Sequence, residues 1–323
     1  MDNDDIKSLI KNGGLVEGEG GSGKSFTIGK IKKALPPNSF ITGAYTHVAA
    51  ENIDGYTLHE LLGIDVKTRK MDYRLIKGYI NSGITHFFVD EISFIPSWLW
   101  NMLAHMKQQH GFIFIGAGDW GQLLPVKDDE FDFENSWIVK YMFNHNNYTL
   151  TKQQRCNNIY VDTHALRHGN KIDFTKYKSI EHDLALCHTN DAVDTINKKW
   201  NDYYAKKHTK QLQVIGFDNS TFILYTGMKL LAYKTHGQRE FTNAQIFVVL
   251  SWNHATMTLQ NLRKHNIIEI DMRYTTSFKP RIAMTVHKSQ GLTFTEKYSI
   301  YEYKSMDTRM LYVALSRTTE AQC

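Results

Sequence analysis

A glycine-rich segment near the N-terminus constrains the fold of this chain more than any other feature. Residues 18–25 read Gly-Glu-Gly-Gly-Ser-Gly-Lys-Ser and fit the phosphate-loop pattern G-x-x-x-x-G-K-S/T. The β-prone residues 14–16 precede this segment, and Ile28, Ile31 and Leu35 follow it at helical spacing. A strand, a glycine turn and a helix in this order predict an α/β fold whose backbone amides and helix N-terminus face a phosphate group.

The side chains of this phosphate loop predict a magnesium-dependent ATP site. Lys24 is expected to reach the β- and γ-phosphates of ATP, and the Ser25 hydroxyl is expected to bind Mg²⁺. A structural glycine turn beside a surface lysine is the alternative, and the strand-then-helix context argues against it. The other loop positions expected to line the phosphates are Gly18, Gly20, Gly21, Ser22 and Gly23.

Two acidic residues, Asp90 and Glu91, come directly after the apolar run at residues 86–89. This position is the carboxyl end of a predicted strand, and ligands of parallel α/β sheets bind at that edge. Asp90 is expected to hold Mg²⁺, directly or through water, and Glu91 to deprotonate the attacking water. Without the phosphate loop, the same acidic pair would fit a solvated turn equally well.

Alternating strand-like and helical patterns predict a layered α/β architecture. Short apolar runs at 40–42, 86–89 and 112–115 are separated by helical patterns, which favours a buried parallel sheet with helices on both faces. The pattern restarts after about residue 150, with a strand at 184–187 and a helix at 192–204. A chain of 323 residues is also too long for one compact core, so at least two domains are expected.

Further motifs follow along the chain. Residues 44–50 read Ala-Tyr-Thr-His-Val-Ala-Ala, and residues 57–63 read Thr-Leu-His-Glu-Leu-Leu-Gly. Residues 118–126 read Gly-Asp-Trp-Gly-Gln-Leu-Leu-Pro-Val, residues 285–291 read Thr-Val-His-Lys-Ser-Gln-Gly, and residues 312–317 read Tyr-Val-Ala-Leu-Ser-Arg. In this order the motifs resemble those of superfamily 1 helicases, specifically the 1B branch that contains RecD and the PIF-type enzymes.

The resemblance implies an α/β fold of two RecA-like phosphate-loop domains, with a small β-rich insertion in the second. The first domain is expected at 1–148, with a strand-separating element at 64–82 whose basic residues would equally suit a solvated helix face. The second domain is expected at 149–210 and 281–323. Short alternating segments predict antiparallel strands at 211–280, where the family carries a barrel-like insertion.

The resemblance also implies roles at the ATP site for residues outside the phosphate loop. Gln122 is expected to sense the γ-phosphate, and Gly291 to lie beside the nucleotide. Arg155 and Arg317 are expected to enter the site from the second domain, where two guanidinium groups would neutralise charge on the transferred phosphoryl group. Without the motifs, either arginine would fit a surface ion pair better.

Nucleic-acid contacts are expected from small hydroxyl, amide and basic side chains, which suit phosphate and sugar oxygens. Asn190 would equally suit a helix N-cap, and a plain start of a helix would explain Thr46. Trp120 is expected to be packed rather than stacked on a base. Ala244 stands where the family has a turn glycine, which leaves the geometry of that turn open. The residues expected to contact the strand are Thr46, His47, Thr57, His59, Asn190, Thr285, His287, Lys288 and Ser289.

The expected activity is therefore an ATP-dependent helicase or translocase on single-stranded DNA, with ATP and Mg²⁺ as cofactors and 5′ to 3′ movement by resemblance. An RNA helicase is one alternative, because backbone contacts distinguish the two sugars poorly. A DNA-binding ATPase subunit that does not unwind alone is the other. The net charge of +5 tolerates a polyanionic partner without demanding one.

The N-terminus predicts an intracellular protein, in the cytoplasm, the nucleus or a viral replication site. It is acidic and differs from a signal peptide, and no run of about 18 apolar residues predicts a membrane span. The 17 residues before Gly18 contain no glutamine, whereas the family usually reads adenine with one. Either relaxed nucleotide selectivity or membership of a longer polypeptide would explain this. A larger polypeptide or a replication complex is the expected setting, and the chain itself is expected to be a monomer.

Overall fold

A computed structural model describes residues 1–125, 128, 131–154, 159–177, 183–237 and 240–318. The chain divides into two compact units. The first unit comprises Met1–Ile172, Gly291–Thr293 and Thr308–Cys323, and the second comprises Asp173–Gln290 and Phe294–Asp307. This grouping differs from the boundaries at 148, 210 and 280, and the assignment of domains stays a prediction. In the described part of the chain, no helix is long and apolar enough to cross a membrane.

Strands occur in both units. Those of the first unit are β1 (Gly14–Gly18), β2 (Phe40–Ala44), β3 (Tyr56–Thr57), β4 (His86–Asp90), β5 (Ile113–Gly118) and β6 (Asn147–Leu150). Those of the second unit are β7 (Ala185–Cys187), β8 (Leu212–Ile215), β9 (Thr221–Leu224), β10 (Lys229–Ala232), β11 (Ile246–Trp252), β12 (Thr256–Asn261), β13 (Ile267–Asp271), β14 (Phe278–Pro280), β15 (Ala283–Thr285) and β16 (Ser299–Ile300).

The helices range from one to about four turns. They are α1 (Asn3–Asn12), α2 (Lys24–Ala34), α3 (His47–Asn52), α4 (Leu58–Leu61), α5 (Tyr73–Asn81), α6 (Ser97–His110), α7 (Trp137–Met142), α8 (Tyr160–Arg167), α9 (Asn190–Ala205), α10 (Val286–Ser289) and α11 (Thr308–Leu315). Of the α-helices in the described residues, α9 and α10 lie in the second unit and the others in the first. The predicted helices after the phosphate loop and at 192–204 are confirmed as α2 and α9.

The first unit is built on a parallel sheet with strand order β3-β2-β4-β5-β1-β6. Successive side chains of a strand point to opposite faces, and both faces are buried here. In β4, Phe87 and Val89 join a cluster with Trp100 of α6, whereas Phe88 joins a second cluster with Ile31 of α2. Helices therefore cover both faces, which confirms the predicted α/β arrangement and explains why the strand sequences are continuously apolar.

The second unit combines a parallel and an antiparallel sheet. Strands β15, β7 and β16 are parallel in that order, and α9 packs against them through Val193 and Ile196. A five-stranded antiparallel sheet has the order β13-β12-β11-β10-β14, and β8 pairs with β9 as a separate antiparallel hairpin. The antiparallel strands predicted within 211–280 are therefore present, while their barrel-like arrangement stays a prediction.

The turn at Ala244 has the geometry that a glycine would favour. Its φ angle is 68°, in the left-handed region where a Cβ atom is unfavourable. The Ala244 amide donates a hydrogen bond of 2.8 Å to the carbonyl of Ala232. A turn with a left-handed residue therefore forms at this position although the residue is alanine.

Candidate active site

The phosphate loop joins β1 to α2 and depends on two of its glycines. A Cβ atom on Gly18 would lie 2.4 Å from Ser22 Oγ, so only glycine permits this close approach. Gly23 is the N-cap of α2 with a φ of 94°, and no side chain caps the helix there. The first amides of α2 therefore keep their capacity to bind an anion at the positive end of the helix.

The ammonium of Lys24 is held by the loop itself. Its Nζ donates hydrogen bonds to the carbonyls of Gly18 at 2.6 Å and Glu19 at 3.0 Å. The buried hydroxyl of Ser22 has no hydrogen-bond partner among the described residues. Phosphate oxygens are acceptors that could bond to both groups, so the loop fits the ligand that its sequence predicts.

The acidic pair lies at the carboxyl end of β4, as predicted from the sequence. The Glu91 amide donates to Asp90 Oδ1 at 2.8 Å, and Glu91 has a left-handed φ of 49°. Removal from water, together with the nearby Asp90 charge, raises the pKa of Glu91 to about 7, although Lys24 and Arg317 oppose the shift. Desolvation also raises the pKa of Asp90. A carboxylate with a pKa near neutrality suits a general base.

These groups line one cavity of about 600 Å³, a volume typical of small-molecule sites. Its wall includes the metal-ligand candidates Ser25 and Asp90, and also Glu91, whose Oε2 is buried without a hydrogen-bond partner among the residues described. Hydroxyl and carboxylate oxygens are the ligands that Mg²⁺ prefers. The donors present therefore fit a magnesium-bound nucleotide. Of the predicted ATP-site residues, the lining includes Gly20, Gly21, Gly23, Lys24, Ser25, Asp90, Glu91, Gln122, Gly291 and Arg317.

Arg317 lies two residues after the end of α11, and its side chain lines the cavity. Its Nε donates to the carbonyl of Val313 at 3.0 Å, and one terminal nitrogen donates to the carbonyl of Leu292 at 3.2 Å. The guanidinium is thus fixed in direction while it lines the cavity, and it belongs to the same compact unit as the phosphate loop. Arg155, the other predicted arginine, lies outside the described residues.

A buried network that the sequence analysis missed supports the loop. Asp119 is fully buried and accepts hydrogen bonds from Arg167 Nε at 2.8 Å and from the Tyr312 hydroxyl. The same hydroxyl accepts a hydrogen bond of 2.9 Å from the amide of Gly20. Asp119 and Tyr312 both lie within recognised motifs, but only the tertiary fold shows that they hold the loop.

Two further residues of the cavity wall were also missed. Asn52, at the end of α3, donates from Nδ2 to the carbonyl of Gly291 at 2.6 Å. Phe26, in the first turn of α2, is 70% exposed although it is a large apolar side chain. A phenylalanine after the phosphate loop suggests core packing by sequence alone, so only its exposure in the structure identifies it as a candidate base contact.

Solved structures of similar fold include Pif1 helicases. One, from a study of DNA unwinding at forked double-stranded DNA by two coordinating Pif1 helicases, has a TM-score of 0.76 over 99% of this chain and 90% of that chain, at 20% identity. Another, Pif1 helicase from Bacteroides in complex with ADP-AlF3 and single-stranded DNA, has a TM-score of 0.71 over 99% and 91%, at 18% identity. These likenesses establish the fold.

Sequence similarity points the same way over a shorter stretch. The ATP-dependent DNA helicase PIF7 of Trypanosoma brucei brucei is 32% identical over 130 residues, which is 35% of this chain and 13% of that protein. No family model matches the chain. The chain resembles the PIF-type helicases of superfamily 1B in sequence and in fold. The resemblance inferred from the motifs is thereby confirmed.

The predicted strand contacts of the first unit lie at helix starts. Thr46 is the N-cap of α3 and Thr57 the N-cap of α4, and each hydroxyl oxygen accepts a backbone amide hydrogen bond. His47 is the first residue of α3. Burial lowers the pKa of His59, which favours its neutral form at pH 7 and argues against an ion pair with phosphate. Capping is thus the observed role of both threonines, and strand contact stays a prediction.

The ring of His59 belongs to an aromatic row that the motifs did not indicate. Its centroid lies 5.6 Å from that of Tyr45 and 5.8 Å from that of Trp98, and the Arg69 guanidinium lies 5.0 Å from the Trp98 ring.

Trp120 is 4% exposed, so the expectation that its side chain is packed rather than stacked on a base is confirmed.

The predicted contacts of the second unit differ in exposure. Ser289 is fully buried and its hydroxyl donates to the carbonyl of Val286, so this structure does not present it to a strand. Lys288 Nζ donates to Asn243 Oδ1 at 2.6 Å, and burial lowers its pKa to about 8. Burial also lowers the pKa of His287. Thr285 is the N-cap of α10, and its hydroxyl oxygen accepts a hydrogen bond from the Lys288 amide.

Asn190 is not a helix N-cap. Thr189 caps α9, its hydroxyl oxygen accepting from the Ala192 amide, and Asn190 is the first residue of that helix. The capping alternative was therefore wrong by one position. The reason is that the Thr189 hydroxyl is itself held by Glu302, which orients it toward the helix. Strand contact by Asn190 stays a prediction.

Proposed function

We propose that this chain is an ATP-dependent helicase that translocates along single-stranded DNA. The observation that carries the proposal is the cavity in which the phosphate loop, the acidic pair, Gln122 and Arg317 meet. The similar Pif1 structures, one of them in complex with single-stranded DNA, support the choice of polymer. Movement from 5′ to 3′ is inferred from the motif resemblance alone.

In the proposed reaction, the residues of the cavity bind ATP and prepare the attacking water. The Lys24 ammonium exchanges the carbonyls of Gly18 and Glu19 for phosphate oxygens. Ser25 and Asp90 would hold Mg²⁺, which would neutralise phosphate charge. Glu91 accepts the proton of the water, for which a pKa of about 7 is suitable.

Gln122 and Arg317 are proposed to register the γ-phosphate. The turn that bears Gln122 is fixed by Arg309, whose guanidinium donates to the carbonyls of Trp120 at 3.1 Å and Gln122 at 3.3 Å. Arg309 lies in α11, and Arg317 lies two residues after its end. A movement of either side chain on loss of the γ-phosphate would therefore act on the same helix. Such coupling of hydrolysis to movement is what a translocating motor requires.

The first test is steady-state ATPase activity with and without single-stranded DNA, beside Lys24→Ala and Glu91→Gln variants. Stimulation by DNA that both variants lose supports the proposal. Stimulation by RNA alone would make the chain an RNA helicase. DNA-stimulated hydrolysis without strand displacement would make it an ATPase subunit that needs a larger assembly.

Polarity needs a separate test, because hydrolysis reports no direction. Partial duplexes carrying a single-stranded overhang at only one end should be unwound from a 5′ overhang and not from a 3′ overhang. A preference for the 3′ overhang would refute the 5′ to 3′ assignment and leave the ATPase proposal intact. We further propose that the protein is intracellular and that this chain is a monomer by itself. Light scattering with and without DNA tests the oligomeric state.

A further inference from the structure

Three metal-binding side chains meet beside the phosphate loop. His164 lies in the last turn of α8, and His168 follows four residues later as its C-cap, so the two rings share one side of the helix. Glu19, the second residue of the phosphate loop, approaches from another element. One ligand atom from each residue lies within 4.8 Å of the other two. The fold thus assembles an imidazole, imidazole and carboxylate set from distant parts of the chain.

The contacts within this set leave ligand capacity unused. Glu19 Oε1 lies 2.6 Å from His164 Nδ1, but Glu19 Oε2 is buried without a hydrogen-bond partner among the described residues. The rings of His164 and His168 are 4.5 Å apart between centroids. A histidine–glutamate hydrogen bond alone would explain one oxygen and one ring, and it would leave a buried carboxylate oxygen without its usual partner.

Two nearby cations among the described residues are already engaged. Arg167 is directed by its Nε to Asp119, and the Lys24 ammonium is bonded to backbone carbonyls. The side chain of Glu19 is 14% exposed, whereas that of His164 is 49% exposed. The cluster is therefore anchored on the inside by the carboxylate and open on the outside, as a site with an exchangeable ligand requires.

We propose that Glu19, His164 and His168 bind one Zn²⁺ ion. Two imidazole nitrogens and one carboxylate oxygen are a ligand set that zinc accepts, with water in the fourth position. Mg²⁺ and Ca²⁺ prefer all-oxygen surroundings, so this site is chemically distinct from the magnesium position at Ser25 and Asp90. The ion would tie the phosphate loop to α8, two segments that the sequence separates widely.

Zinc binding does not depend on the proposed helicase function. An ion that binds the folded state and not the unfolded chain raises the unfolding temperature by mass action. Because Glu19 also accepts a hydrogen bond from Lys24 through its carbonyl, the ion would also fix the backbone of the phosphate loop. Binding and thermal stability can both be measured without nucleotide or DNA, so failure here leaves the ATPase proposal standing.

The test is calorimetric titration of the full chain, without an affinity tag, with zinc chloride. We expect one saturable site, with affinity at least tenfold weaker in His164→Ala, His168→Ala and Glu19→Gln. His254→Ala removes an exposed histidine of the second unit and serves as the matched control, with unchanged affinity. The absence of a saturable site, or equal affinity in all four variants and the parent, would overturn the proposal.

A second readout separates ligand loss from misfolding. The unfolding temperatures of His164→Ala and His168→Ala without zinc should match the parent within a few degrees, because both histidines are exposed. Zinc should then raise the unfolding temperature of the parent and of His254→Ala only. If zinc raises that of His168→Ala to the same extent, the ion binds elsewhere and the assignment is wrong.

Discussion

Replacing Tyr312 by phenylalanine tests how the phosphate loop is held. The side chain is 1% exposed, and its hydroxyl both donates to the Asp119 carboxylate and accepts from the Gly20 amide at 2.9 Å. Tyr312→Phe keeps the ring in place and removes only the hydroxyl. The substitution therefore deletes two hydrogen bonds without opening a large cavity.

The expected loss of stability follows from the two bonds. A hydrogen bond to a charged group contributes about 1.5–3 kcal/mol, and one to a neutral amide contributes about 0.5–1.5 kcal/mol. Asp119 keeps Arg167 Nε at 2.8 Å and the Gly121 amide at 3.0 Å, so its charge stays paired. This remaining pairing places the expected fall in the free energy of unfolding at about 2–3 kcal/mol rather than at the upper limit.

The assay is urea-induced unfolding followed by tryptophan fluorescence, together with hydrogen exchange in the peptide that contains Gly20. Exchange of the Gly20 amide should speed up about tenfold, which corresponds to about 1.4 kcal/mol. Tyr148→Phe is the control, because the Tyr148 hydroxyl makes no hydrogen bond among the described residues. A Tyr312→Phe protein within about 0.5 kcal/mol of the parent, indistinguishable from the control, would refute the reasoning.

Three further substitutions test other local contacts. Phe26→Ala should raise the KM for ATP about 5- to 150-fold if the exposed ring stacks on the base, since such stacking contributes about 1–3 kcal/mol; an unchanged KM excludes that contact. Lys107→Met should lower the free energy of unfolding by about 1.5–3 kcal/mol, because the ammonium donates to three oxygens at the end of α7. Lys33→Met, at an exposed position, is its control, and equal urea midpoints would contradict the expectation. Ala244→Gly should raise the free energy of unfolding by about 0.5–1 kcal/mol by relieving a φ of 68°, whereas Ala255→Gly, outside the positive-φ positions, should not; a less stable Ala244→Gly protein would contradict this.

Features set by local chemistry were predictable from the sequence. The phosphate loop, the acidic pair after β4 and the strands of the parallel sheet each depend on residues that are neighbours in the chain. Continuous apolar runs predict buried parallel strands because both faces of the sheet are covered. The approximate position of the antiparallel strands was also predictable from local sequence. Their apolar and polar residues alternate with a period of two, which is typical of half-buried strands.

Features set by long-range contacts were not predictable. The motif around Asp119 was recognised, but its partners Tyr312 and Arg167 lie far along the chain. The alternative that Asn190 caps α9 was wrong by one position, and Glu302, which accepts a hydrogen bond from the capping Thr189 hydroxyl, is likewise distant in the chain. Residues 308–318, which were expected with the second domain, are grouped with the first compact unit, and their domain assignment stays a prediction. Sequence periodicity contains no information on which distant segment completes a site.

Asp119 shows why a motif residue can be functional without touching a ligand. A fully buried carboxylate is unfavourable unless it is paired, and here it binds the Arg167 guanidinium, the Gly121 amide and the Tyr312 hydroxyl. Through Tyr312 it acts on the Gly20 amide, and through its own turn it fixes the position of Gln122, whose amide donates to the Asp119 carbonyl at 3.1 Å. One aspartate therefore sets the geometry of the phosphate loop and of the proposed γ-phosphate sensor together, and a substitution there should impair both.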